Sequence, residues 1–269
     1  MITLVGHGYV GKYIAQELNS SGLKWQWIDH RYVLDLGIPP DTDFVINAAG
    51  FTGVPNVDAC ENAKDETIEG NVTFPLLVEQ KSDVPVLHIS SGCVYTGYVD
   101  NGWLEEDTPN FTFDNGSFYS ATKSLFQELW QQQWYYRSYI FRIRMPFGPD
   151  TNDKNLLMKL YKYPKLVNHL NSISYLPDVA AAAVYFARFK PTPGIYNAVN
   201  SQAMTTEQIA RFMNRPLDFL TDKETKKAMK APRSNCVLNS DKMESVYRFT
   251  DSNKALRDSL NVINYEING

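Results

Sequence analysis

At 269 residues the chain is long enough to bury a substantial core, as one large domain or as a main domain with a smaller lobe. With 43% hydrophobic and 21% charged residues and a net charge of −4, no strong field draws it to nucleic acid or an anionic membrane, and small anionic substrates would need local positive groups. No apolar run approaches the ~20 residues of a membrane span, and the three cysteines (Cys60, Cys93, Cys236) form neither a disulfide framework nor a metal-spaced cluster, so a reduced, cytoplasmic setting without a metal is expected.

The chain opens on an apolar strand, Ile2 to Val5, followed by Gly6-His7-Gly8-Tyr9-Val10-Gly11 and a helical pattern from Lys12 to Leu18. Strand, glycine-rich turn and helix in that order begin a dinucleotide-binding βαβ unit, where a helix N-terminus faces the pyrophosphate. The fold class expected is therefore α/β, a Rossmann-type doubly wound parallel sheet. Trp25 to Ile28 reads as the second strand, which places Asp29-His30-Arg31 beside the adenosine ribose. Asp29 there suits a 2′-hydroxyl and NADH, whereas Arg31 suits a 2′-phosphate and NADPH. Asp35 and Leu36 flank the adenine or belong to a plain loop.

Phe44 to Asn47 forms a third strand running into Ala48-Ala49-Gly50, small residues that allow close backbone approach to a cofactor. A helix is expected from about Asp58, then a strand over Val84 to Ser90 that ends in Ser91-Gly92-Cys93. Alternation along a strand predicts that Ser91 and Cys93 face the same side. After an acidic loop (100–115) comes Tyr119-Ser120-Ala121-Thr122-Lys123, where a phenol and an ammonium four residues apart share one helical face and the ammonium favours the phenolate.

Tyr139 to Arg144 forms a further strand, broken by Met145-Pro146-Phe147-Gly148. Helices follow over Leu156 to Tyr163, Pro177 to Phe189 and Thr205 to Met213, with a strand over Gly194 to Val199. Residues 1–150 make the dinucleotide-binding domain, to which the chain returns at 172–200, and 151–269 make mainly a substrate-binding lobe. A basic run, Lys223 to Lys230, leads into Ala231-Pro232-Arg233-Ser234-Asn235 as a solvated face.

The Gly6-x-Gly8-x-x-Gly11 turn, Ser91 and the Tyr119-x-x-x-Lys123 pair together resemble the extended short-chain dehydrogenase/reductases. Three further stretches (47–61, 105–120 and 142–146), with Ala231 to Asn235, closely resemble the UDP-4-keto-6-deoxyglucose 3,5-epimerase/4-reductases of UDP-L-rhamnose synthesis. GDP-fucose synthase and dTDP-4-dehydrorhamnose reductase are related to these.

The resemblance implies a bifunctional epimerase and 4-ketoreductase using NADPH, with NADH left open, on a nucleotide-sugar substrate. A homodimer is compatible with it. Ser91, Tyr119 and Lys123 would carry reduction, and Cys93 and Lys159 would carry epimerisation. Gly6, Gly8, Tyr9, Val10, Gly11, Asp29, Arg31, Asp35, Leu36, Asn47, Ala48, Ala49, Gly50, Tyr119, Lys123 and Pro146 would hold the cofactor. Thr52, Cys93, Tyr95, Arg144, Asn168 and Arg233 would hold the substrate. The alternatives are a 4-ketoreductase without epimerase activity and a nonenzymatic cofactor-binding regulatory subunit.

Overall fold

In the computed structural model, which describes residues 1–213 and 218–268, alternating apolar side chains build a parallel sheet buried on both faces. The chain runs β1 (Ile2–Val5), α1 (Tyr9–Ser21), β2 (Trp25–Ile28), α2 (His30–Leu36), β3 (Phe44–Asn47), α3 (Lys64–Ile68), α4 (Phe74–Gln80), β4 (Val86–Ser91), α5 (Phe118–Gln133) and β5 (Tyr139–Ile143). There follow β6 (Pro146–Phe147), α6 (Leu156–Lys162), β7 (Lys165–Leu166), β8 (Leu170–Asn171), β9 (Ser174–Tyr175), α7 (Leu176–Phe189) and β10 (Gly194–Asn197). The rest comprises β11 (Met204–Thr205), α8 (Thr206–Phe212), β12 (Asp218–Phe219), α9 (Asp222–Ala228), α10 (Asp241–Glu244) and α11 (Ser252–Asn268).

Six strands form the central sheet in the order β10-β5-β4-β3-β1-β2, every neighbouring pair parallel. The chain moves outward from β1 to β2 and then builds in the other direction through β3, so the order reverses beside β1. At such a switch point the loops at the carboxyl ends part and leave a crevice. Leu4, Ile46 and Phe141 turn to one face, under Ile14 and Leu18 of α1 and Val179 and Phe186 of α7. Val5, Val45 and Val86 turn to the other, under Phe74 and Val78 of α4. Ile140 and Ile195 meet Phe126 and Trp130 of α5 on that same side.

A second core gathers Phe147, Leu157 and Leu160 with Ile173, Ile209 and Leu256. Residues from α6, α8 and α11 thus make a lobe of their own, while Met243 and Phe249 pack back into the main core. No helix of the described residues is long and apolar enough to cross a membrane.

Two differences from the sequence reading have local causes. The helix expected from Asp58 is broken: Val57–Glu61 is a 3₁₀ turn capped by Asn56, and a π turn (Glu69–Thr73) separates α3 from α4. Asp35 and Leu36 lie in α2 rather than a loop, because Asp29 accepts a hydrogen bond from the Tyr32 N–H (2.7 Å) and starts a helix too short to show a period. The basic run lies largely in α9, with Lys223, Lys227 and Lys230 exposed, while the Lys226 and Ala228 side chains fall outside the described residues.

The closure of β1 on α1 is tight: a Cβ on Gly11 would stand 2.4 Å from the Gly6 carbonyl oxygen. Gly11→Ala should therefore destabilise the protein by roughly 2 kcal/mol or more, since backbone has to move. Thermal melts of the purified variant would measure this.

Candidate active site

Gly6 sits at φ +85, and a Cβ there would come within 2.7 Å of the Ala49 nitrogen, so the first turn closes directly on the segment after β3. A Cβ on Gly8, by contrast, meets nothing within 4 Å. No side chain caps the N-terminus of α1 and no acid stands in its first turn, which leaves free N–H groups and a positive dipole end. Gly6, Gly8, Ala48, Ala49, Gly50, Phe51 and His30 line a groove of about 450 Å³, and Glu66 and Glu69 also belong to its lining. A dinucleotide pyrophosphate fits this donor set.

Next to it, at the end of β2, Gln26, Trp27, Ile28, Asp29 and Tyr32 line a second cavity of about 290 Å³. The His7 ring lies 5.5 Å from that of Trp27. Asp29 thus borders the cavity, whereas Arg31 is 88% exposed and paired with Asp35 at 3.7 Å. Arg31, Asp35 and Leu36 line neither space.

The catalytic candidates converge at the carboxyl edge of β4. Ser117 caps α5, accepting from the Ser120 N–H at 3.1 Å, and Glu61 accepts from the Phe118 N–H at 2.8 Å. This fixes the first turn and buries Tyr119 and Lys123 together. Ser91 is close enough to the Tyr119 phenol to draw its pKa down. The Lys123 Nζ lies 6.0 Å from the Tyr119 ring centre and would be 3.2 Å from a Cβ on Gly50, so a glycine there keeps room for the ammonium.

Burial decides both protonation states. Desolvation pushes the Tyr119 phenol well above its ordinary range, helped by Cys93 and Cys60, and Ser91 and Arg144 offset it only in part. Desolvation also brings Lys123 down to about 8, against the raising effect of Cys60 and Cys93. The expectation that the ammonium favours phenolate gives way here: Tyr119 is held protonated, the state a proton donor needs.

Ser91 and Cys93 come together, but not through strand alternation. β4 ends at Ser91, Gly92–Val94 is a 3₁₀ turn, and the Cys93 N–H donates to Ser91 Oγ at 3.1 Å. Cys93 Sγ accepts from Arg144 Nη1 at 2.8 Å. Arg144 is itself buried and donates to Asn171 Oδ1 (2.6 Å) and to the Ser234 carbonyl. It immediately precedes Met145, whose φ of +41 turns the chain out of the sheet into the lobe.

From the lobe comes Lys159, on α6, held below its ordinary range by burial first and then by Lys154 and Arg233. Arg233 Nη2 donates to Asp58 Oδ2 at 2.9 Å, and the Ala231 N–H donates to Asp58 Oδ1 at 3.0 Å. Among the described residues, Arg233 Nη1 is buried without a partner. The 231–235 segment therefore ties the β3 loop to the lobe across the site.

Other expected residues fall elsewhere. Tyr95 is fully buried, stacked on Trp103 at 4.7 Å, and its hydroxyl donates to the Asp107 carbonyl (2.6 Å), so it organises the 104–107 loop and presents no surface to a substrate. Asn168 holds the start of α8, accepting from the Glu207 N–H at 3.1 Å. Thr52 is exposed in the β3 loop, and Pro146 lies in β6. Tyr9 is half-buried, its hydroxyl donating to Asp150 at 3.1 Å.

The sequence reading assigns no role to Asn71. It is buried in the π turn, accepts from the Phe51 N–H (3.0 Å), donates to the Phe51 carbonyl (2.9 Å) and reaches Thr122 Oγ1 (3.4 Å). It thereby locks the groove's wall to α5. An amide inside an apolar helical run was the available signal.

A parallel sheet with a glycine-rich turn at its switch point and a Ser-Tyr-Lys set at its carboxyl edge defines a Rossmann-type fold of the short-chain dehydrogenase/reductase kind. The family model described as the RmlD substrate binding domain matches residues 3–263, and the chain belongs to that family.

It is 31% identical over 261 residues to the bifunctional dTDP-4-dehydrorhamnose 3,5-epimerase/dTDP-4-dehydrorhamnose reductase of Arabidopsis thaliana, covering 89% of this chain and 85% of that protein. It is also 33% identical over 220 residues to the trifunctional UDP-glucose 4,6-dehydratase/UDP-4-keto-6-deoxy-D-glucose 3,5-epimerase/UDP-4-keto-L-rhamnose-reductase RHM1 of the same plant. That match covers 76% of this chain but only 32% of the trifunctional protein, so the chain spans about a third of its length.

Among solved structures, the L780 UDP-rhamnose synthase of Acanthamoeba polyphaga mimivirus superposes with a TM-score of 0.86 at 23% identity, covering 97% of this chain and 99% of that one. The dTDP-4-dehydrorhamnose reductase of Bacillus anthracis, solved in complex with NADP, gives a TM-score of 0.77 at 16% identity over 100% of this chain and 99% of that one.

The depressed Lys123 has a measurable sign. Its folded value, about 8, lies below its ordinary 10.5, so the native state bears the cost of a buried ammonium at neutral pH and sheds it as pH rises between those values. Lys123→Met should raise the melting temperature at pH 7 by on the order of 5 °C, a gain that shrinks between pH 8 and 10.5. Melts of both proteins across that range would check it.

Proposed function

We propose that the chain is a nicotinamide-dependent enzyme that epimerises UDP-4-keto-6-deoxyglucose at C3 and C5 and reduces its C4 ketone, giving UDP-L-rhamnose. The observation that carries the reading is Tyr119 buried together with Lys123 and Ser91, next to the space kept for the Lys123 ammonium at Gly50, in a groove walled by the Gly6 turn and Ala48-Ala49-Gly50. The free N–H groups of α1 would hold the pyrophosphate, and Asp29 the adenosine ribose. NADPH is the cofactor proposed, with NADH admitted by Asp29; when bound it supplies hydride to C4.

The chain's own groups account for the rest. Ser91 and Tyr119 hold the ketone oxygen, which makes the C3 and C5 hydrogens acidic by stabilising the enolate. Cys93, next to that oxygen site, takes a proton from one face, with the Arg144 guanidinium 2.8 Å away as a counter-charge. Lys159, lowered by burial and by neighbouring cations, returns a proton from the other face. After hydride arrives, Tyr119 protonates the C4 alkoxide.

Supplied with UDP-4-keto-6-deoxyglucose and NADPH, the protein should release UDP-L-rhamnose, identified by chromatography and NMR of the sugar. Tyr119→Phe should lose ~10²–10⁴-fold in NADPH oxidation while binding cofactor almost normally. Wild-type turnover in that variant would remove Tyr119 from the chemistry.

Without reductant in D₂O, the wild type should incorporate deuterium at C3 and C5, and Cys93→Ser should lose most of that exchange. Absence of exchange, with an unepimerised alcohol as product, would leave a simple 4-ketoreductase in which Cys93 is only a packing residue.

A further inference from the structure

Behind the cofactor groove, between β4, α4 and α5, lies a buried ionic centre that no catalytic step uses. Glu79 is 1% exposed, and its carboxylate takes four donors: Trp130 Nε1 (2.8 Å) and His88 Nε2 (3.1 Å) on Oε1, Ser138 Oγ (3.1 Å) and Arg137 Nη2 (3.3 Å) on Oε2. His88, also buried, spans the sheet from this carboxylate to Asn47 on the neighbouring strand, its Nδ1 standing 3.1 Å from Asn47 Nδ2. The other half of the Asn47 amide, Oδ1, accepts from the Ala49 N–H at 3.0 Å.

Each group in this line can play one part only. An amide NH₂ donates, so His88 Nδ1 accepts and its proton sits on Nε2, facing the carboxylate. That polarity in turn fixes the Asn47 amide with its oxygen toward Ala49. The turn so held, Ala48-Ala49-Gly50, walls the groove, touches Gly6 so closely that a Cβ there would be 2.7 Å from Ala49 N, and leaves Lys123 its space at Gly50. Asn47, expected from the sequence to bind cofactor, is buried and directed inward instead.

We propose that Glu79 and His88 are positioning residues for cofactor binding: they orient the Asn47 amide and, through it, the turn that forms one wall of the dinucleotide groove. This rests on the nicotinamide-dependent reading above and adds to it residues that touch neither cofactor nor substrate. A buried carboxylate of this kind is costly unless every oxygen is satisfied. With donors to satisfy it, it is a fixed anchor buried between the sheet and the helices α4 and α5.

The test measures NADPH binding by fluorescence titration without sugar, thermal melts, and KM against kcat. His88→Leu removes both the acceptor for Asn47 and a donor to Glu79, and should raise the NADPH dissociation constant and KM about tenfold while kcat at saturating cofactor stays within about threefold. His88→Gln offers an acceptor and a donor on one side chain and should restore most of the affinity. Val86→Ala, on the same strand but outside the relay, should lower the melting temperature and leave NADPH affinity unchanged.

Wild-type affinity in His88→Leu would overturn the role, as would equal weakening in Val86→Ala, or a His88→Gln protein no better than His88→Leu. A wild-type protein that binds neither NADPH nor NADH would instead overturn the nicotinamide reading, and this role with it.

Discussion

Two tight backbone approaches close the first turn: Gly6 meets the Ala49 nitrogen across the switch point of the sheet, and Gly11 meets the Gly6 carbonyl. No side chain fits in either gap. The Gly6 turn must therefore pass over the end of β3, which leaves the N-terminus of α1 facing the groove and sets the Ala48-Ala49-Gly50 wall opposite it. The placement of Tyr119 and Lys123 follows, because the same wall, held by Asn71 through Phe51, leans on α5 at Thr122 and leaves space for an ammonium at Gly50.

Desolvation governs the electrostatics of the site more than pairwise charge does. The phenol of Tyr119 rises and the ammonium of Lys123 falls for one reason, that each is buried, and the charges around them only trim the effect. Arg144 is the exception. A guanidinium stays charged at any accessible pH, so its burial has to be met by acceptors, and the structure supplies a thiol, an amide oxygen and a carbonyl rather than a carboxylate. That leaves positive charge unneutralised beside the Cys93 thiol.

Much of this was legible in the chain. The strands at Ile2–Val5, Trp25–Ile28 and Phe44–Asn47 follow from apolar runs bounded by turn residues, and the glycine-rich turn follows from order and spacing. The Tyr119 and Lys123 pair could be read because helical spacing is a local property. What could not be read depends on distant partners. Asp58 looked like the start of a helix and proved to be the anchor for Arg233; Tyr95 looked like a substrate contact and proved to be closed off beneath Trp103. Ser91 and Cys93 do adjoin, but through a 3₁₀ turn whose one-residue geometry has no sequence period. The long α11 does carry helical spacing in Ala255, Leu256, Leu260 and Ile263.

The bond between Asp58 and Arg233 joins residues 175 positions apart, and Arg144 reaches Ser234 across 90. Loops of that length have to close before either contact can form, and their closure entropy rises only slowly with length, so the delay is kinetic rather than a lasting loss of stability. During synthesis the glycine-rich turn, the Ser91 strand and the Tyr119 helix are all available to pair while the 231–235 segment is still to come. The groove walled by the Gly6 turn can thus form on the nascent chain well before the 231–235 segment reaches Asp58. A ligand that binds the early half would hold it folded while the later half is made.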